Sequence, residues 1–188
     1  MPSSASPFGL RPAYHPSGRI SMESIAGIIS GYTSAIYQYS TVKIGTDGTL
    51  QLSAAGERCV GVFLGCTYVD STGRPVVTNQ WVANTTYTAG SMVAYYTRDQ
   101  NIIYEIQSIT AVDQADVGNQ ADWIASGNAT TGLSTSTLSN TRTSSGSAGL
   151  RILGFGKEVD NAPGDTYTNV YVQISEHQDV ADLVGYGG

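Results

Sequence analysis

Positive charge is scarce in this chain. Its 188 residues include 9 Lys and Arg against 15 Asp and Glu, which gives a net charge of -6 at neutral pH. A protein that binds a nucleic-acid backbone needs clustered Lys and Arg, and a surface that binds anionic membranes needs a similar cluster. The basic residues here are scattered, so the sequence predicts neither nucleic acid nor a membrane as a partner.

Long apolar runs and a secretory leader are also missing from the sequence. The longest apolar runs fall far short of the ~20 residues that span a bilayer. The opening residues, MPSSA, lack the charged and apolar regions of a signal peptide. We therefore expect a protein that is made and folded in a cytoplasm.

Cysteine is nearly absent, and the two that occur, Cys59 and Cys66, lie in the run CVGVFLGC. On one extended strand, seven residues at ~3.3 Å each separate them by about 23 Å. A disulfide needs Cα atoms within about 7 Å, and the odd spacing places the two thiols on opposite faces of the strand. The sequence predicts two free, buried cysteines with no metal between them.

The sequence shows no catalytic motif. His15 and His177 are the two histidines, and no signature joins either one to a nucleophile. GFGKE lacks the spacing of a phosphate-binding loop, and DNAPGD favours an ordinary turn over a calcium loop. A small hydrolase would need Glu105, Asp122 or Glu176 to converge in a cleft, with shifted pKa values. We expect no enzymatic activity, no cofactor and no metal.

A hydrophobic period of two runs through most of the chain and predicts β-structure. In GERCVGVFLGCTYV, one face of a strand is expected to carry Val60, Val62, Leu64, Cys66 and Tyr68, and the other Phe63 and Val69. An Asp47-Gly48 turn predicts a hairpin, and a second hairpin is expected around a loop at residues 98–101. Further strands are expected at residues 34–39, 74–82, 133–138, 150–155 and 170–174.

Helical signals are weak, and at most one short helix is expected within residues 109–125, where Gly118 interrupts the spacing. Many short strands joined by Gly, Asp, Asn and Ser turns are typical of all-β folds. The predicted fold is an antiparallel barrel or sandwich of short strands with an extended, Pro-rich N-terminal arm.

The arm is predicted because four of the 6 prolines fall in the first sixteen residues, where they restrict φ and remove backbone donors. Phe8, Leu10 and Tyr14 argue against a solvated tail, since disordered tails tend to lack large apolar residues. We expect residues 1–31 to form the arm and residues 32–188 the β-body. The residues expected to bind a partner are Pro7, Phe8, Leu10, Arg11, Pro12, Tyr14 and His15.

Three stretches of the sequence carry a family resemblance: ASPFGLRPAYHPSG, GVFLGCTYVDSTGRPVVTNQW and RILGFGKEVDNAPGDTYTNVYVQISEHQ. They resemble structural proteins of tailed bacteriophages that decorate the capsid as cement proteins, over nearly the whole chain. The resemblance implies an all-β protein on the outer surface of the virion, made in the bacterial host. It also implies a homo-oligomer, a dimer or a trimer, that bridges and stabilises major capsid protein subunits.

A second function class remains open from the residues themselves. The 12 tyrosines lie mostly in the predicted strands, and aromatic platforms bind sugars. A host-attachment or carbohydrate-binding module of the virion is therefore the alternative, and exposed, coplanar Tyr and Trp side chains would favour it.

Overall fold

The protein is built from short antiparallel strands in the computed structural model, which describes residues 4–144 and 148–180. The strands are β1 (Arg11–Tyr14), β2 (Ile36–Tyr37), β3 (Thr41–Ile44), β4 (Leu50–Leu52), β5 (Gly61–Val69), β6 (Pro75–Thr78), β7 (Gln80–Trp81), β8 (Val93–Tyr96), β9 (Ile103–Gln107), β10 (Gln120–Ile124), β11 (Gly127–Asn128), β12 (Leu133–Ser134), β13 (Thr137–Thr143), β14 (Leu150–Phe155) and β15 (Asn169–Ile174). The expected all-β fold is confirmed as a sandwich-like arrangement, and no sheet closes into a barrel within the described ranges.

The larger sheet has six strands in the order β1-β9-β15-β14-β10-β13. Alternate residues of these strands point to one side, as the pleat of a strand requires, and form the first core. A parallel bridge between Ser108 and Leu138 brings the chain after β9 back to β13, so the sheet curls around this core. The first core includes Tyr104, Ile106, Trp123, Leu138, Leu150, Ile152, Val170 and Val172.

The smaller sheet has the order β4-β3-β5-β6, with β8 also paired to β5 and the short pair β2-β7 beside it. The first predicted hairpin is confirmed here, since Ile44 pairs with Leu50 across the Asp47-Gly48 turn. Burial of alternate β-branched and aromatic residues again stabilises the sheet. The second core includes Ile36, Val42, Leu50, Phe63, Trp81, Ala94 and Tyr96.

Strand β5 and the residues just before it contribute to both cores. Cys59 is buried in the first core and Cys66 in the second, and both are free thiols. The prediction of two free, buried cysteines on opposite faces is therefore confirmed. Burial in apolar surroundings raises the pKa of each thiol to about 12.

The predicted alternation is wrong on both sides of the middle of β5. Before it, Val60 packs in the second core although Val62 packs in the first. Leu64 packs against the first core, but Cys66 and Tyr68 pack with the second, on the same side as Phe63. The reason is a bulge: the pairing of β5 with β8 slips by one residue between Phe63 and Gly65. A bulge inserts one extra residue and reverses the faces that follow it.

A close backbone approach fixes the start of β5. Gly61 has φ of +154°, and a Cβ placed on it would lie 1.9 Å from the carbonyl oxygen of Thr97. The Thr97 hydroxyl accepts a hydrogen bond from the Val62 N–H at 2.9 Å and lies 2.9 Å from the Tyr104 hydroxyl. Glycine is required here because any side chain would overlap the neighbouring backbone.

The second predicted hairpin is wrong. β8 pairs with β5 in the smaller sheet, whereas β9 pairs with β1 and β15 in the larger one. The two apolar runs belong to different cores, since Tyr96 packs in the second and Tyr104 in the first. Residues 97–102 therefore carry the chain from one sheet to the other.

The remaining strand predictions are close to the structure. The predicted strand at residues 150–155 coincides with β14, and that at 170–174 is β15 without its first residue. The one at 74–82 divides into β6 and β7, and only two residues of 34–39 form β2. Within residues 133–138, Leu138 is buried and anchors β13, while Leu133 is exposed. The expected short helix is the 3₁₀ turn Gln114–Asp116.

Candidate interaction surface

The described part of the predicted arm folds back along the body instead of projecting from it. We call residues 4–15 the anchor. Its strand β1 pairs antiparallel with β9 and forms one edge of the larger sheet. Before the strand, the Ser6 N–H donates to Gln107 Oε1 at 2.8 Å, and Gln107 Nε2 donates to the Ser4 carbonyl at 3.1 Å. The anchor is thus an edge strand of its own fold.

Leu10 secures the anchor from the inside. Its side chain is 1% exposed and belongs to the first core, and its N–H donates to the Tyr39 carbonyl at 3.0 Å. The preceding Gly9 has φ of +77°, and a Cβ there would lie 2.6 Å from Ser134 Cβ. The backbone therefore approaches the body closely enough to exclude any side chain at position 9.

An ion pair secures the anchor from the outside. Arg11 lies directly opposite Glu105 in the strand register, and its guanidinium donates to the Glu105 carboxylate. Glu105 is buried, and the Phe8 ring lies 4.6 Å from the guanidinium carbon of Arg11. Nearby, burial and the Glu105 carboxylate raise the pKa of Glu158. A guanidinium stacked on an aromatic ring and paired to a buried carboxylate holds the strand in one register.

The end of the anchor contacts one residue of β15 and one residue of the 97–102 connection. The Tyr14 ring meets the Tyr171 ring edge to face, with centroids 5.8 Å apart. His15 Nε2 lies 3.2 Å from Asp99 Oδ2. Pro12 lies opposite Tyr104 and lacks the N–H that an edge strand would otherwise present to another chain.

The structure thus brings all seven predicted partner-binding residues to the edge of the larger sheet. Pro7 and Phe8 are half-buried and Leu10 is buried, whereas Tyr14 and the Arg11 side chain remain about half exposed. In the single chain their contacts are with the chain's own body. Their role in binding a partner stays a prediction.

A different set of exposed apolar residues follows the anchor. Residues 16–22, which we call the linker, are all exposed and lead to a bridge in which Glu23 and Tyr96 exchange backbone hydrogen bonds of 2.8 and 3.1 Å. Beyond it, Ile25 and Ile29 are 73% and 47% exposed, although Ala26 and Ile28 between them are buried in the second core.

These two outward isoleucines are held rigidly. The Gly27 carbonyl accepts the Leu50 N–H at 2.8 Å, and Ile29 borders a shallow groove with Tyr87 and Met92. Sequence reasoning assigned partner binding to residues 7–15 and did not single out the exposed Ile25 and Ile29. A signal was present, since five large apolar residues without a sustained strand period occur at Ile20, Met22, Ile25, Ile28 and Ile29.

The carboxylates considered for a hydrolase do not form one group. Glu105 lies on β9 and pairs with Arg11, whereas Asp122 lies on β10. The Asp122 carboxylate accepts the Gly149 N–H at 2.9 Å. Glu176 follows β15, and its carbonyl accepts the Cys59 N–H at 3.2 Å.

His177 is buried beside a polar pocket and makes a structural contact. Its Nδ1 accepts the Asp179 N–H at 3.1 Å, so this nitrogen is unprotonated. Burial lowers the pKa of His177, and Arg98, which donates to both Asp179 oxygens at 2.7 and 3.1 Å, lowers the pKa of that carboxyl.

The tryptophans form no exposed platform on which a sugar ring could stack. Trp81 and Trp123, the two tryptophans of the chain, are buried in separate cores. Tyr68 and Tyr87 pack against Trp81 with centroids 6.0 and 6.1 Å away, at tilted or edge angles. The coplanar, exposed arrangement that would favour sugar binding is not formed by these rings.

Two further findings concern residues 4–144 and 148–180. Nowhere in these ranges do three His, Cys, Asp or Glu side chains come together in a way that could hold a metal ion. The same ranges contain no helix with the length and apolar character needed to cross a membrane. Comparisons with protein-family models, with curated proteins and with solved structures give no match for this chain.

Proposed function

We propose that this protein is a non-enzymatic structural protein of a bacteriophage virion. It decorates the outer surface of the capsid as an oligomer and stabilises the shell by bridging major capsid protein subunits. The proposal starts from the resemblance of three sequence stretches to capsid decoration proteins. It is supported by an all-β framework and by a net charge of -6, which repels packaged or free nucleic acid.

The observation that carries the proposal is the pair of outward isoleucines. Ile25 and Ile29 present apolar surface on a segment that Ala26 and Ile28 fix to the second core. A rigid apolar surface loses little conformational entropy when a partner covers it, so the burial is converted efficiently into affinity. We assign Ile25 and Ile29 to the contact with the capsid protein.

The anchor has a supporting role in this arrangement. Leu10 and the Arg11–Glu105 pair hold it on the sheet edge, which leaves Tyr14 half-exposed at its end. We assign Tyr14 a second contact with the capsid protein. A protein that binds only the intact shell stabilises it by about 4 kcal/mol per site when its free concentration is a thousandfold above the Kd, and many sites repeat this gain over the lattice.

The test compares phage particles with and without this protein during heating or osmotic shock, with DNA release as the signal. Stripped particles are expected to release DNA earlier, and adding the purified protein back should restore the original curve. Identical release curves would contradict the cement role. Binding of the protein to host cells or glycans would then favour the host-attachment module.

The residue assignment is tested by adding back Ile25→Ser and Ile29→Ser variants. Covering a fully exposed isoleucine stabilises a complex by about 1.5 to 3 kcal/mol. Ile25 is 73% exposed and Ile29 is 47% exposed, so Ile25→Ser should bind particles roughly six- to fortyfold more weakly and Ile29→Ser roughly three- to tenfold more weakly. Val159→Ser is the matched control, because Val159 is a fully exposed apolar residue in the connection between β14 and β15. Equal loss of binding in the control and the isoleucine variants would contradict the assignment.

A further inference from the structure

The anchor is bound through contacts with distant parts of the sequence. Ser6 contacts Gln107, which is 101 residues away, and Arg11 contacts Glu105, which is 94 residues away. Leu10 enters a core made by β9, β10, β14 and β15. The site that receives the anchor is therefore a feature of the body, and the anchor of a second copy would fit it equally well.

The linker does not help to place the anchor. All of residues 16–22 are exposed, and the hydrogen bonds of Ser17 and Gly18 are local ones to His15. Fully extended, seven residues span about 23 to 25 Å. A linker of this length and exposure allows the anchor to reach the body of an adjacent copy without loss of its own contacts.

The linker also carries apolar side chains that the single chain leaves in water. Met22 is 62% exposed and Ile20 is 37% exposed. When two copies exchange a terminal strand about a twofold axis, the two linkers pass side by side at the axis. Ile20 and Met22 of both copies would then cover one another, which is a gain that the unexchanged chain lacks.

We propose that two copies of this chain exchange residues 4–15 reciprocally, so that each anchor forms the edge strand of the other copy's larger sheet and the two linkers meet through Ile20 and Met22. The contacts of the anchor are the same in both arrangements. Burial of the linkers therefore favours the dimer, and the closeness of an anchor to its own body favours the monomer. The proposal goes beyond the decoration role and does not depend on it.

The test uses charge reversal at Arg11 and Glu105 in the full-length chain. The Arg11→Glu and Glu105→Arg variants each place like charges together, whether the anchor stays on its own body or exchanges within a homodimer. When the two variants are mixed, exchange creates one original and one reversed ion pair. In the mixture, positions 11 and 105 bring opposite charges together only if each anchor lies on the body of the other variant.

The expected results are specific. The unchanged protein should be dimeric by light scattering, and each single variant should dimerise less and melt at a lower temperature. The mixture should give a heterodimer that exceeds either homodimer in native mass spectrometry, with Tm restored towards that of the unchanged protein. The double variant Arg11→Glu/Glu105→Arg is the matched control and should dimerise by itself.

A second measurement protects the test against a variant that fails to fold. Tyr14 lies directly opposite Ile103 in the register of β1 with β9, and facing Cα atoms of an antiparallel pair are close enough for a disulfide, so a mixture of Tyr14→Cys and Ile103→Cys should give a covalent dimer on a non-reducing gel. A protein that stays monomeric at every concentration, or a dimer in which neither mixture yields the paired species, would overturn the proposal. Binding to phage particles is measured separately. A strand-exchanged dimer that does not bind particles would refute only the proposed function.

Discussion

Replacement of Leu10 by alanine tests whether the anchor is part of the folded body. The change removes three carbons from a side chain that is 1% exposed in the first core. At ~0.8 kcal/mol for each buried CH₂, the lost transfer free energy is about 2.4 kcal/mol. The cavity left behind adds to this cost, so we expect the free energy of unfolding to fall by about 3 to 4 kcal/mol.

The assay is urea unfolding followed by tryptophan fluorescence, because Trp123 lies in the same core as Leu10. For a chain of this size the expected loss corresponds to a decrease in Tm of roughly 6 to 16 °C. Leu153→Ala is the matched control, since Leu153 is 37% exposed on the outward side of β14. It should cost less than about 1 kcal/mol. If both variants unfold at the same urea concentration, the anchor does not contribute to the core as described.

Three further predictions concern the body. Gly61→Ala should lower Tm severely or prevent folding, because its Cβ would lie 1.9 Å from a backbone oxygen, whereas Gly154→Ala, with open space around it, should change Tm little. Cys59 and Cys66 should not react with a thiol reagent in the native protein, because burial raises both pKa values to about 12, and both should react after unfolding. Burial lowers the pKa of His177, so the folded state favours the neutral ring. The resulting contribution to the free energy of unfolding is complete above pH ~6.5 and should be lost as the pH falls through the folded-state pKa. A His177→Gln variant should therefore show a shallower decrease of Tm from pH 7 to pH 5.

The strands could be predicted from the sequence where the signal is local. The strand at residues 150–155 and the hairpin across Asp47-Gly48 are predicted correctly, because buried alternate residues and a turn-forming Gly specify them within a few positions. The absence of a disulfide between the two cysteines could also be predicted locally, because their spacing along an extended chain holds them too far apart.

The pairing of those strands could not be predicted in the same way. β8 and β9 are adjacent in sequence and look like a hairpin, but they join different sheets. Likewise, alternation through Gly65 fails because a bulge changes the faces of β5. Both outcomes depend on partners far away in the chain, which a local hydrophobic period does not identify.

For the candidate interaction surface too, one part could be predicted from the sequence and another could not. The N-terminal prolines and apolar residues by themselves predicted an extended segment that packs against something, because proline restricts φ and large apolar side chains are stabilised by burial. Only the tertiary structure decided which of these side chains are available to a partner. Leu10 is buried in the first core, whereas Ile25 and Ile29 face outward. The exposure of each side chain depends on which residues, distant in sequence, pack over it, and only the folded structure specifies those residues.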